Sequence, residues 1–250
     1  MIAIILVGGK HSLVSELYPE LPIPLIPVAG KPFLYWLTKW LKNQGFNHIV
    51  YAAGHGASKI TAWVQHFAAH EPSLCIDVVT ESRPLGTGGA AALCASRFPA
   101  TLNLIVNGDS LLLSPLQQAV KQLKTDPHLD GIIFGAEVLN AGRFGTLEMD
   151  AQHRLTAFKE KHPGLTINAG VYLLRSQLLE EVNSDKELSL ESQCFPQWLA
   201  QGKNIRLIND GAPFIDIDAP DALKRAHEFI KLHQSLIMRR KEKMVAEALT

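Results

Sequence analysis

Short, unbroken apolar runs alternate with stretches of helical spacing over the first half of this chain, and that alternation restricts the fold more than any other feature. The runs are residues 2–7, 48–52, 75–79, 102–106 and 131–134. A strand buried on both faces loses the polar–apolar alternation of a half-exposed strand and reads as such a run. Between them, residues 33–44, 57–69, 88–96 and 115–124 carry apolar side chains at helical intervals. Strands alternating with amphipathic helices predict a doubly wound α/β sheet with right-handed crossovers. After residue 135 the rhythm changes, and 146–149, 155–159 and 167–174 read as strands with little helix between them. This predicts a mixed region on one side of the sheet. A last strand, 214–217, precedes a long C-terminal helix from about Pro220. Its apolar positions Leu223, Ala226, Phe229, Ile230, Leu232, Leu236, Ile237 and Val245 form a rough stripe. That stripe packs on its own domain, with Arg239, Arg240, Lys241 and Lys243 in solvent, or makes a homodimer contact.

Composition narrows the function. Lys plus Arg is 24 and Asp plus Glu is 24, so there is no cationic excess for nucleic-acid phosphates. Apolar residues at 47% exclude disorder. A chain of 250 residues makes one large α/β domain or two small ones. The three cysteines, Cys75, Cys94 and Cys194, show neither CxxC nor Cys/His metal spacing, as expected of a reduced, intracellular protein. No apolar run is long enough for a signal peptide or a membrane span. A soluble, cytoplasmic protein is expected.

Residues 19–32 hold five prolines, Pro19, Pro22, Pro24, Pro27 and Pro32, which predict a stiff extended loop. It follows the first strand, on the side of the sheet where α/β proteins bind ligands. A purely structural linker is the other reading. Four groups at strand ends can carry chemistry. Leu6-Val7-Gly8-Gly9 brings backbone N–H groups close to a phosphate or base, without a Walker A or GxGxxG pattern. Glu81 with Pro84-Leu85-Gly86-Thr87-Gly88-Gly89 opens a helix, which favours an anion or a base edge; Thr87 as an ordinary helix cap is the simpler reading. Asn107-Gly108-Asp109 puts a carboxylate just past a buried strand, a usual place for a Mg²⁺ ligand, although an Asx turn explains Asp109 alone. Asp216 and Asp218 alternate with isoleucines, and either can complete a metal site with Asp109; a cap before Pro220 explains Asp218 equally. A fifth group, Glu160-Lys161 with Asn168-Ala169-Gly170, suits sugar hydroxyls and a phosphate, or is a solvated strand end. His66 and His70 share a helix face, but nothing nearby in sequence completes a zinc set. His55 and Ser58 lie near glycines without GxSxG, so a hydrolase triad has little support.

Taken in order, Leu6–Gly9, Pro27–Pro32, Glu81 with Pro84–Gly89, Asn107–Asp109, Glu160-Lys161, Asn168–Gly170 and Phe214–Asp216 resemble the sugar-1-phosphate nucleotidyltransferases. The likeness is strongest to the heptose and mannose 1-phosphate guanylyltransferases and runs from Met1 to about Leu223. It implies a Rossmann-like fold of the nucleotide-diphospho-sugar transferase type, with a mixed, mainly parallel sheet and a C-terminal helix. One domain is implied, with a nucleotide half (1–135), a sugar-phosphate half (136–218) and the helix (219–250). It implies transfer of a nucleotidyl group from a nucleoside triphosphate, with GTP suggested by Pro84–Gly89, to a sugar 1-phosphate in nucleotide-sugar biosynthesis, for lipopolysaccharide or capsule. By resemblance Asp109 and Asp216 hold Mg²⁺ and act in catalysis with Lys161. Leu6, Gly8, Gly9, Glu81, Leu85, Gly86, Thr87, Asn107 and Gly108 hold the nucleotide. Gly145, Glu160, Lys161 and Asn168 hold the sugar phosphate.

The chain departs from the family at two cations. The family's Gly-Gly-x-Gly-Thr-Arg-Leu reads Gly8-Gly9-Lys10-His11-Ser12-Leu13-Val14, and its Pro-Lys-Pro reads Pro22-Ile23-Pro24. Residues 11–30 contain no Lys or Arg. A cation on a transferring phosphoryl group is worth about 10³–10⁵ in rate, roughly 4–7 kcal/mol of barrier. Lys10, Lys31 and Arg83 are the candidates to substitute. The alternative is a catalytically impaired relative that binds nucleotide, nucleotide sugar or sugar phosphate in a regulatory role. A glycosyltransferase is a third class, which the Lys161/Asn168 group disfavours.

Overall fold

The computed structural model describes residues 1–9, 13–138, 144–159 and 165–238. The first half is laid out as the apolar runs predict, with one correction: the run at 75–79, read as buried, forms the edge strand of the sheet, and only Val79 in it is buried. Strands β1 (Ile2–Leu6), β4 (His48–Ala53), β5 (Cys75–Thr80) and β6 (Leu102–Asn107) alternate with helices α1 (Phe33–Asn43), α2 (Ala57–Ala69) and α3 (Gly86–Arg97). Between β1 and α1 lie the short strands β2 (Pro27–Val28) and β3 (Lys31–Pro32). Then come β7 (Ser110–Leu112), α4 (Leu116–Thr125), β8 (Gly131–Glu137), β9 (Thr146–Met149), β10 (Leu155–Lys159) and β11 (Thr166–Arg175). The chain continues through α5 (Ser176–Glu180), a π-helical turn (Leu190–Cys194), α6 (Phe195–Ala200), β12 (Ile205–Ile208), β13 (Phe214–Asp216) and α7 (Pro220–Met238).

The main sheet runs β10-β9-β11-β6-β1-β4-β5, with β8 and β12 branching from β11. β6, β1, β4 and β5 are mutually parallel, whereas β11 is antiparallel to β6, β8 and β9. The sheet is therefore mixed, with a parallel half formed by the first strands. In β1, Ala3 and Ile5 enter one core while Ile2 and Ile4 enter the other. Two buried faces are the physical reason for its unbroken apolar run. On the first face α1 buries Phe33, Leu34, Trp36, Leu37, Trp40 and Leu41. Full burial of such a side chain contributes about 1.5–3 kcal/mol.

Two further expectations need correction. The proline-rich segment is not one extended loop. Ile23–Leu25 forms a 3₁₀ turn, and β2 pairs with β3 as a hairpin. Ile23, Leu25, Ile26 and Val28 enter the core. A proline φ near −65° also suits the first turn of a helix, where no N–H is needed. In the second half β9, β10 and β11 fall where strands were expected, and the short elements α5, α6 and β12 that follow them were not anticipated. Of the α7 stripe, Leu223, Ala226, Ile230 and Ile237 are buried within the chain, whereas Leu232 is 76% and Leu236 39% exposed. Residues 239–250, with Arg239, Arg240, Lys241, Lys243 and Val245, lie outside the described residues.

Candidate active site

The carboxyl ends of the parallel strands open into a cavity of about 540 Å³. Each strand delivers a part of its wall. Leu6, Gly8 and Gly9 come from β1, Gly54 and His55 from β4, Glu81 from β5, and Asn107 and Asp109 from β6. The start of α3 adds Gly86 and Thr87. This is where open α/β sheets bind ligands, because helix N-termini and strand ends present unpaired backbone groups there.

Gly8 is required by close packing. A Cβ there would lie 3.0 Å from the Gly54 amide nitrogen and 3.2 Å from Glu81 Oε1. The Leu85 N–H donates to Glu81 Oε2 at 3.0 Å. Burial and the nearby Glu187 carboxylate push Glu81 above its ordinary range, against that hydrogen bond. A carboxylate in this state gains from a ligand that donates to it.

Beside the cavity, carboxylates gather. β13 pairs with β7 so that Asp216 lies opposite Ser110. The Ile217 N–H donates to the Asp109 carbonyl at 3.0 Å, which brings the two acidic segments together. Asp216 is 6% exposed. Burial, then Asp218, Asp216 and Glu191, hold the Asp109 carboxyl well above the usual carboxylate range. Asn107 Oδ1 is buried with no hydrogen-bond partner among the described residues. Oxygen donors that repel one another, beside an orphaned acceptor, fit a hard divalent cation.

The sugar-phosphate candidates are split. The Asn168 N–H donates to the Gly145 carbonyl at 2.8 Å, so these two residues are neighbours. Glu160 and Lys161 lie outside the described residues, as do Lys10, His11 and Ser12. Gly170 has φ +68°, and a Cβ there would fall 2.7 Å from Asn107 Nδ2. Glycine at this position lets β11 close against the end of β6.

A hydrogen-bond relay joins α3, the π-helical turn and β11. Thr87 Oγ1 donates to Glu191 at 2.6 Å, Tyr172 donates to Glu191 at 3.0 Å, and Asn168 Nδ2 donates to the Tyr172 hydroxyl at 2.6 Å. Thr87 lies inside the first turn of α3, whose N-cap is Leu85 with no side-chain bond; the helix-cap reading of Thr87 is corrected accordingly. Sequence reasoning missed Gly54, Glu187 and Glu191 and set His55 aside. The signal for Gly54 and His55 was available, since both directly follow a buried strand. Glu191 lies on the π-helical turn, for which no sequence signal exists.

The cation deficit takes a definite form. Leu13, which the resemblance sets at the family's arginine position, is 64% exposed. Its neighbour Val14 donates its N–H to the Asp218 carbonyl at 3.0 Å, which ties the loop to the carboxylates. Ile23, at the lysine position, is 6% exposed. Among the described cavity-lining residues Arg83 is the only Lys or Arg, and its guanidinium donates to the Asp185 carbonyl.

Comparison with known proteins agrees with this architecture. A heptose 1-phosphate guanylyltransferase (D-glycero-α-D-manno-heptose) of Aneurinibacillus thermoaerophilus is 31% identical over 91% of this chain and 97% of its own length. A mannose-1-phosphate guanylyltransferase of Mycobacterium tuberculosis is 31% identical over 80% of this chain and 56% of its own, longer sequence. A crystal structure of HddC from Yersinia pseudotuberculosis complexed with GMP-PN superposes with a TM-score of 0.79 at 28% identity, covering 91% of this chain and 98% of that one. The family model described as nucleotidyl transferase matches residues 2–232. With that match spanning every residue that lines the cavity, the chain belongs to the nucleotidyl transferase family.

Proposed function

We propose that this protein transfers a guanylyl group from GTP to a heptose- or mannose-type sugar 1-phosphate, giving a GDP-sugar and pyrophosphate. The observation that carries this reading is the convergence of Gly8, Gly9, Glu81, Gly86, Thr87, Asn107 and Asp109 on one cavity. The relatives named guanylyltransferases and the neighbour complexed with GMP-PN support the choice of nucleotide and sugar.

In this reading Gly8, Gly9, Gly86 and Gly108 let the backbone approach the nucleotide, with Leu6 and Leu85 as apolar contacts. Glu81 accepts hydrogen bonds from the donor edge of the base. Asp109 and Asp216 would hold Mg²⁺, which when bound neutralises phosphate charge. Gly145 and Asn168, with Glu160 and Lys161, orient the sugar phosphate, and Lys161 balances charge at the reacting phosphates. The sugar-phosphate oxygen attacks the α-phosphorus in line. The new P–O bond forms as the bond to pyrophosphate breaks. The protein supplies position and fixed charge rather than a covalent intermediate. The chain acts as one domain, with 1–135 for nucleotide, 136–218 for sugar phosphate and 219–250 as the C-terminal helix. Exposed Leu232 and Leu236 support a homodimer contact on α7.

A second reading, a ligand-binding relative with little turnover, draws support from exposed Leu13 and core-buried Ile23 at the family's cation positions. Pyrophosphate release with Mg²⁺, a panel of triphosphates, and mannose and heptose 1-phosphates separates the two. Release that requires both substrates, prefers GTP and disappears in Asp109→Ala supports the enzyme. Nucleotide binding without release from any pair would leave only the second reading.

A further inference from the structure

At the opposite end of the parallel sheet a second cluster of metal-competent side chains lies apart from the cavity. His48 begins β4 and Cys75 begins the edge strand β5, and the two are paired in register. Asp77 follows Cys75 by two residues, so both side chains project from the same face of β5. His48 Nε2 is 2.8 Å from Asp77 Oδ2, and Cys75 Sγ is 3.9 Å from the same oxygen. One ligand atom from each of the three residues falls within 4.8 Å of the others. The His48 ring is oriented by edge-on contact with Phe98, at a centroid distance of 5.3 Å. The cavity lies about six residues further along both strands, roughly 20 Å away at ~3.3 Å per residue.

We propose that His48, Cys75 and Asp77 form a Zn²⁺ site that clips the edge strand to its neighbour, with water in the fourth position. The donor set decides the metal. Thiolate and imidazole with a single carboxylate suit a borderline-soft ion, whereas Mg²⁺ takes oxygen donors. The geometry is close to what Zn²⁺ requires. Bonds of about 2.3 Å to sulfur and about 2.1 Å to nitrogen and oxygen at tetrahedral angles put the sulfur and oxygen ~3.6 Å apart and the nitrogen and oxygen ~3.4 Å apart. The sulfur closes in by a few tenths of an ångström and the His48–Asp77 hydrogen bond opens to admit the ion. Binding exchanges the Cys75 thiol proton for the metal. Sequence spacing does not reveal this set, because His48 reaches the other two only across the ladder.

The test uses the full chain, stripped with a chelator and then held in saturating Mg²⁺. Co²⁺ is titrated as the spectroscopic probe and displaced with Zn²⁺. One equivalent is expected, with thiolate-to-cobalt charge-transfer absorption that Zn²⁺ abolishes. Cys75→Ser, an exposed position, should remove that absorption and weaken binding at least about tenfold, since even outer partners of a metal ligand are worth 10–100-fold. His48→Gln should weaken binding similarly. The double variant His66→Gln/His70→Gln, which removes the neighbouring histidine pair of α2, should change neither. Charge-transfer absorption that survives Cys75→Ser, or stoichiometric binding lost only in the α2 variant, would overturn the site. So would no Co²⁺ absorption in the unaltered chain, which would leave His48–Asp77 as a plain hydrogen-bonded pair at the sheet edge.

Discussion

Asp109 sits where burial first, and then Asp218, Asp216 and Glu191, raise the cost of ionising it. Such an arrangement serves a ligand at the expense of the empty fold. Asp109→Asn removes the ionisable group, and with it the cost of burying it among the other carboxylates, without changing shape. Turnover should fall by at least ~10², as when one group stabilising charge in a transition state is lost. The metal-free protein should melt about 2–4 °C higher, the shift of ~1 kcal/mol for a chain of this size. Calorimetry beside an activity assay checks both signs, and a lower melting point would contradict the charge argument. Gly170→Ala combines a positive φ with a Cβ 2.7 Å from Asn107 Nδ2. It should cost about 1–3 kcal/mol and displace Asn107, so denaturant unfolding and turnover should fall together. Asp109, Asp216 and Glu81 were legible because each stands at the end of an apolar run and in a motif order that resembles the family, although an Asx turn alone also explains Asp109. Glu191 was not legible. Its partner Thr87 lies 104 positions away, and only the folded sheet brings the two together.

Helix α2 is tied to α1 through Glu71, which bonds Lys39 and Lys42. Burial pushes the Glu71 carboxyl up, but the two ammonium groups outweigh it and leave it below its ordinary range. A depressed folded-state pKa adds stability above the unfolded pKa and loses it as pH falls through the folded one. Glu71→Gln should therefore lower the melting temperature at pH 7, by an amount corresponding to ~1–2 kcal/mol. The gap should close below about pH 4. A gap independent of pH would refute the ion-pair origin. The two lost cations separate on structural grounds. Leu13 is exposed and Ile23 is in the core. Leu13→Arg should be tolerated and raise turnover by roughly tenfold or more, a small part of what a well-placed cation supplies. Ile23→Lys should destabilise by ~2–4 kcal/mol, as a buried unpaired charge does. Long periodic elements were legible in the sequence. Short elements were legible only in part: β9, β10 and β13 were anticipated as strands, whereas Ile23–Leu25, α5, α6 and β12 show too little of a period to stand out.

At the scale of the whole molecule, the zero formal charge conceals two local imbalances. Carboxylates gather near Asp109, and cations are scarce among the described residues around the cavity. Fold and family followed from the order of motifs along the chain. Whether the motifs add up to turnover did not, because that depends on where charge sits in space. Nucleotidyl transfer is a bond exchange, and ³¹P NMR of GTP and mannose or heptose 1-phosphate incubated with the protein and Mg²⁺ follows it directly. GDP-sugar and pyrophosphate resonances should grow at equal rates, and neither should appear without the sugar phosphate. Unchanged substrates in every pairing, or release of phosphate without a new pyrophosphate linkage to sugar, would contradict nucleotidyl transfer.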